Sequence, residues 1–441
     1  MTKEILQNPV SRYIRLLLKI EAHEIRAAVT SFIFMFVLMV AYYTLRPVRD
    51  AMASDWSDAE LSWLWTSTFV ISMVAVVIYS GAITKLRFRR IVPGVYGFFS
   101  LSFLVFYLGT LSVDNPVYID KTFYVWLSVF SLFHVSVFWS FMADTFSKDQ
   151  GKRLFGFIAS GASIGAVAGP AFPVFFSATL GVYNLILLAS VLLLLIIPLI
   201  ALMEKLKQED LHYGSVSENH ADRAALGGNP FSGFADFLTN RYLLGIGLFI
   251  LLYTAMSTFV YFELKNMLAE FDRATRSQYW GVMDLVVNSL AVLTALFATN
   301  RLAVRFGLTV TLSIVPVVIV AGWLLVAVSP LLMVLMGLQI IRRAGNYAIT
   351  RPGREMLFTQ VSRQTRFKTK PVIDIVVYRG GDMLSSWVYT GLAQGFGLGL
   401  AGIGLVGAGI AFLWAIVAVF IGNAYDHDRL HSGTTKLGEP E

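Results

Sequence analysis

The chain has 441 residues, of which 56% are hydrophobic and only 14% charged, with a formal net charge of +7 and no cysteine. A soluble protein carries about 25% charged residues, so this composition excludes an ordinary set of soluble domains. The absence of cysteine excludes disulfides, thiolate metal sites and cysteine nucleophiles.

Residues 1–27 are charged and amphipathic and read as a cytoplasmic N-terminal segment; no small-residue cleavage site follows the first apolar run, so no cleaved signal is expected. Apolar runs then fall at about 28–45, 61–83, 91–112, 122–143, 154–178 and 182–203. A polar stretch at 204–241, containing Gly227, Gly228, Asn229 and Pro230, reads as a cytoplasmic linker. Six more runs follow at about 242–264, 279–300, 307–329, 331–350, 371–395 and 401–423, and residues 424–441 form a polar tail. A bilayer core needs about 20 apolar residues per helix, so the expected fold is all-α and polytopic. About twelve transmembrane helices form two six-helix bundles, 28–203 and 242–423. Continuous runs such as Val191–Ile200 exclude the alternating pattern of a membrane barrel.

Most of the 35 Lys and Arg fall in the segments on the same side as both ends of the chain. The positive-inside rule then places both termini in the cytoplasm, and the basic balance is topological rather than a nucleic-acid footprint. The expected location is a bacterial inner (cytoplasmic) membrane. The expected surroundings are lipid and a small anionic solute, with no nucleic acid and the chain a monomer. A weak internal repeat supports two related halves: GAITKLRFRR (81–90) follows span two and NRLAVRFG (300–307) follows span eight. Both resemble the basic loop of major facilitator transporters, which implies a substrate site at the midplane between the halves. Gly161, Gly165 and Gly169 recur every fourth residue in span five, and Gly402, Gly404, Gly407 and Gly409 crowd span twelve. Small residues on one face allow helices to pack closely.

A charge within a span costs several kcal/mol and needs a reason. Span one ends in Arg46, Arg49 and Asp50, span four in Asp144, and the turn into span five holds Asp149, Lys152 and Arg153. Span seven has Glu263 and Lys265, and span eight has Asp284 and Asn288. Span ten carries Arg342 and Arg343, then Asn346, Tyr347, Arg351, Arg354 and Glu355; span eleven carries Asp374, Tyr378, Arg379 and Asp382. Static pairing is one reading for Arg49–Asp50, Arg354–Glu355 and Arg379–Asp382. The other is a cavity whose planar guanidinium forks suit phosphate or carboxylate. His134, Trp139 and Gln339 read as packing or hydrogen-bonded residues. No phosphate-binding loop of the G-x-x-x-x-G-K-[ST] type occurs, and no metal-ligand spacing stands out. Neither catalytic residues, a metal nor a cofactor is expected, and the chain does not read as an enzyme.

Three segments carry a family resemblance. NYAITRPGREMLFTQVSRQTRFKTKPVID (346–374) matches a P-x-K-E-M run followed by K-x-K-x-x-I-D at Pro352, Arg354, Glu355, Met356, Lys368, Lys370, Ile373 and Asp374. TLRPVRDAM (44–52) and KRLFGFIASGASIGAVAG (152–169) match two further stretches. Together they resemble the nucleotide transporter family of plastids and intracellular bacteria, the ATP/ADP translocases, in a divergent bacterial branch with a major-facilitator-like fold. Arginine stands at Arg49 and Arg354 where that pattern has lysine; Gln150 replaces an acidic residue, and Tyr261 a glutamate, with Glu263 two residues on. The resemblance implies NTP/NDP exchange or nucleotide uptake by alternating access. Phosphate would be held by Arg46, Arg49, Lys152, Arg153, Arg342, Arg343, Arg354 and Arg379, with Asn346, and with Tyr347, Tyr378 or Trp139 stacking on a base. The alternative is a proton-coupled carrier of a drug, siderophore or organic anion. Coupling or gating carboxylates would then come from Asp50, Asp144, Glu263, Asp284, Glu355, Asp374 and Asp382.

Overall fold

The computed structural model describes residues 21–85, 88–211, 232–297 and 299–435. Most of the amphipathic N-terminal segment, the middle of the 204–241 linker and the last six residues lie outside these. Among the described residues there is no strand. Among the described residues, each of the twelve apolar runs is helical over most of its length, as a buried backbone in lipid requires.

In chain order the helices are α1 (Ile25–Met52), α2 (Asp58–Lys85), α3 (Phe88–Ser112) and α4 (Val117–Thr145). Next come α5 (Lys148–Ala168) with α6 (Ala171–Leu180), and α7 (Val182–Leu194) with α8 (Ile196–Glu209). Beyond the linker lie the short α9 (Ser232–Thr239), then α10 (Arg241–Leu268), α11 (Arg273–Phe297), α12 (Thr299–Val328) and α13 (Leu332–Gly345). The chain closes with α14 (Arg351–Leu357), α15 (Arg363–Pro371), α16 (Tyr378–Thr390) and α17 (Leu400–Thr435). Three π-helical segments, Asn346–Thr350, Val372–Val377 and Gly391–Gly395, flank α13, α14 and α16.

Local chemistry sets the boundaries. Ser147 starts α5 through a capping box with Gln150, and Asn240 starts α10 by accepting from the amides of Tyr242 and Leu243. Gly181, at φ 82, makes the turn from α6 into α7, a conformation a side chain resists. A second positive φ at Gly307 kinks α12. There Asp426 of α17 accepts from the amides of Leu308 and Thr309 at 3.0 Å, recapping the helix after the break. One difference from the sequence reading matters for function. α1 does not end before Arg46 but runs through Pro47 to Met52, so Arg46, Arg49 and Asp50 are helical residues.

Nine stretches among the described residues are long and apolar enough to cross a membrane. α11, α13 and α16 are not among them; α13 and α16 have only 14 and 13 residues before the chain passes into a π-helical segment. The helices cluster into two compact units. The first comprises Met1–Ala53, Val70–His220 and Phe271–Leu285, the second Ser54–Phe69, Ala221–Glu270 and Val286–Glu441. Within the first, α1 is the central helix, packed on α4, α5, α7 and α8. The glycine ridge of α5 explains how closely: a Cβ at Gly165 would sit 2.6 Å from the Phe36 carbonyl oxygen, and one at Gly161 2.6 Å from that of Phe32. Within the second, α12 packs along α17 and α10 against α16 and α17. Gly407 there leaves room for the buried Trp323.

Candidate functional site

The first unit holds a buried charge cluster on α1. Arg46, Arg49 and Asp50 sit three and four residues apart, on one helix face. The Asp50 carboxylate, 2% exposed, accepts from Arg49 Nε at 2.9 Å and Nη2 at 2.6 Å. Arg46 Nε lies 3.8 Å from Asp50 and 3.9 Å from Asp284, whose side chain, on α11, is 1% exposed. Arg49 also donates to Ser128 and lies over the Tyr124 ring, both on α4. Two guanidiniums and two carboxylates make the cluster locally neutral, which satisfies the cost of burying them. Both Arg46 distances are long for an ion pair, so each attraction is weaker than that of Arg49 for Asp50.

A second ion pair in this unit escaped the sequence reading. Asp120 on α4, 1% exposed, accepts from Arg273 at 2.9 Å and from the Tyr183 hydroxyl at 3.1 Å. Arg273 hydrogen-bonds Tyr183 as well. Asp120 falls just outside an apolar run and so read as loop; its place in the first turn of α4 was the available signal.

The remaining sequence candidates of this unit lie elsewhere. Lys152 pairs with Asp149 at 3.0 Å, both well exposed. Arg153 forks onto Glu24 at 2.7 and 3.1 Å and reaches Glu21. Asp144 takes Lys207 at 2.9 Å. The last two pairs tie helix ends together; Lys152–Asp149 lies within the first turn of α5. Glu21, His23 and Glu24 are close enough to share a cation, but Arg153 already pairs with both carboxylates. His134 stacks on Tyr42, and Trp139 packs edge-on against Phe138 and Phe155.

The second unit holds three groups. In the first, Arg342 on α13 is 2% exposed. It donates twice to Gln339 Oε1, at 2.6 and 3.2 Å, and once to the Tyr253 hydroxyl at 3.3 Å. Its guanidinium lies 5.7 Å from the Tyr253 ring centre, and the Tyr378 ring is 6.1 Å from that of Tyr253. Asp382 is in electrostatic reach of both Arg379 and Arg342. Arg343 is 3% exposed beside Arg342. Asn346 and Tyr347 follow in the π-helical segment, half-buried. Tyr253 was missed because a tyrosine within an apolar run carries no signal until a cation is found beside it.

In the second group, Arg354 bridges Glu355 at 3.1 Å and Asp374 at 3.3 Å, and Lys370 pairs with Glu355. Burial alone would raise the Glu355 carboxyl, but Lys370 and Arg354 together hold it below the ordinary carboxylate range. In the third, Lys265 on α10 is 2% exposed and pairs with Asp58 of α2 at 2.7 Å. It also donates to the Trp56 carbonyl at 2.8 Å. Glu263, two residues away on the same helix, is hydrogen-bonded to the Tyr389 hydroxyl, which accepts in turn from Asn266.

The fold and the buried charges can be set beside known proteins. The profile of the Major Facilitator Superfamily matches residues 31–350. The chain belongs to the major facilitator superfamily. Solved structures of the superfamily fold align over nearly its whole length. The nucleoside transporter NupG aligns at 12% identity and a TM-score of 0.65, covering 90% of this chain and 98% of that one. A NupG variant gives 13% and 0.64 over 90% and 99%. A bacterial homologue of the human lysosomal transporter Spinster, inward-facing and unoccupied, gives 12% and 0.56 over 91% and 94%. No curated protein matches the sequence. A superfamily member with these spans is a multi-pass membrane protein that transports a small molecule.

Proposed function

We propose that the chain carries an anionic, nucleotide-class solute across the bacterial inner membrane by alternating access, with both termini in the cytoplasm. It catalyses no covalent chemistry and works as a monomer. The single observation that carries this reading is Arg342. Its guanidinium is buried, yet its hydrogen bonds among the described residues go to neutral groups, Gln339 and Tyr253. A permanently charged group held by neutral partners keeps its charge available for an anion, and its planar fork suits phosphate. Arg343 beside it, and Arg46 and Arg49 in the other unit, add cationic groups of the same type. Tyr253 and Tyr378 offer aromatic faces to a base. A nucleoside transporter is among the structures that share the fold, and the 346–374 segment resembles nucleotide translocases.

Uptake of radiolabelled ATP and ADP into proteoliposomes, with and without nucleotide inside, tests it. Saturable uptake stimulated by internal nucleotide supports exchange; no saturable uptake with any counter-substrate overturns the nucleotide reading. A second reading, proton-coupled transport of another organic solute, is favoured by the buried carboxylates Asp50 and Asp284. Transport that ignores nucleotides and collapses with an uncoupler supports that reading.

A further inference from the structure

In the first unit, α3 and α8 leave a groove of about 310 Å³ between them. Pro93 lines it from α3, and Ile197, Ile200, Ala201, Glu204, Lys205 and Gln208 line it from α8. Their spacing of three and four places the α8 residues on a single helix face. The chemistry changes along that face. Ile197, Ile200 and Ala201 are apolar, and the next two turns carry a carboxylate, an ammonium and an amide. The change falls where the apolar run of α8 gives way to the linker, the level at which acyl chains end and headgroups begin.

Three features distinguish this polar end from an ordinary wet rim. Glu204 is half-buried and belongs to none of the ion pairs among the described residues, whereas Lys207, on another face of α8, is held by Asp144. Lys205 reaches Glu209 only at 3.7 Å, with both side chains well exposed, so that pair is weak and readily exchanged. Pro93 lies inside α3 and has no N–H, so the carbonyl of Arg89, one turn earlier on the same face, lacks its helical donor. An apolar groove thus opens onto a carboxylate, a carbonyl short of a donor, and an ammonium.

We propose that the groove holds a phospholipid with an ethanolamine headgroup. The lipid ammonium donates to Glu204 and to the Arg89 carbonyl, the phosphate accepts from Lys205 and Gln208, and an acyl chain lies along Ala201, Ile200 and Ile197. A headgroup bearing both signs matches a rim bearing both signs. Choline has no N–H to give Glu204 or the carbonyl, and a glycerol headgroup sets a net negative charge beside the carboxylate. The inference uses the membrane fold alone and is independent of which solute is carried.

Native mass spectrometry of the full chain, delipidated in detergent, tests it by titration with phosphatidylethanolamine, phosphatidylcholine and phosphatidylglycerol of identical chains. The wild type is expected to bind one ethanolamine lipid about tenfold more tightly than either of the others, the effect of one charge-assisted hydrogen bond. Glu204→Gln should lose most of the preference over choline. Ala201→Trp, at an exposed position, fills the groove and should remove the tight site for all three lipids. Equal affinity of the wild type for the ethanolamine and choline lipids overturns the proposal, and so does tightest binding of the glycerol lipid. An undiminished preference in Glu204→Gln, or a tight site that survives Ala201→Trp, overturns it as well. The wild-type comparison decides by itself should either variant fail to fold.

Discussion

Gly165→Ala and Gly156→Ala, two identical substitutions nine residues apart on α5, are expected to change stability in opposite directions. At Gly165 the new Cβ would stand 2.6 Å from the Phe36 carbonyl oxygen and 2.9 Å from Met39 Cβ, where ordinary contact begins at 3.4 Å. The obstacle is backbone, so no rotamer relieves it, and α1 must move off α5 by about 0.8 Å on that side. Overpacking of this kind costs about 1–3 kcal/mol. Against it stands a gain of about 0.5–1 kcal/mol from replacing glycine inside a helix, so the net is a loss. At Gly156 nothing lies within 4 Å of the added Cβ, so only the gain remains. Apparent melting temperature in a mild detergent, or steric trapping in bicelles, reads both. Gly165→Ala should also weaken ligand binding, because α1 carries Arg46, Arg49 and Asp50. Two shifts of the same sign would refute the claim that the glycine ridge sets the α1–α5 distance.

Other outcomes follow from the same geometry. The chain has no cysteine, and the Ser62 and Thr390 hydroxyl oxygens are 2.9 Å apart. Joint Ser62→Cys and Thr390→Cys substitution should therefore give one oxidisable pair linking α2 to α16, read by mass spectrometry of the digested protein. Arg342→Lys should lower nucleotide uptake at least tenfold at matched expression, whereas Arg241→Lys, on an exposed residue, should leave it unchanged. Asp426→Ala removes the acceptor for two amides and the Thr309 hydroxyl and should cost about 1–2 kcal/mol, read by steric trapping. The Glu355 carboxyl is held below its usual range, so its stabilising tie to Lys370 and Arg354 is full at neutral pH and is lost as pH falls through the lowered value. Proteolysis around 351–370 should accelerate on acidification in the wild type and show no such dependence in Glu355→Gln.

The twelve-helix architecture was legible because lipid imposes one signal, runs of apolar residues, on every span. Helix ends were less legible. The first apolar run stops at about residue 45, yet α1 continues through Pro47 to Met52. Charged side chains within spans were legible as such, since each is costly; their partners were not. Arg49–Asp50 and Arg354–Glu355 are adjacent in sequence and do pair. Lys265 and Asp58, by contrast, are 207 positions apart, and Arg273 and Asp120 are 153 apart, so only folding brings them together. Gln339 and Tyr253 are silent in sequence for a related reason: a neutral residue announces its role only through the cation it holds.

α11 and α13 carry buried charges, Asp284 and the adjacent Arg342 and Arg343. During synthesis neither gains by leaving the translocation machinery alone, since charges in bare lipid cost several kcal/mol each. They enter the bilayer alongside neighbours that supply partners: Asp284 needs α1, and Arg342 needs α10. Each partner is made before the helix that needs it, so α11 and α13 insert onto helices already in place, and chains that lack α1 or α10 should fail to hold them in the membrane.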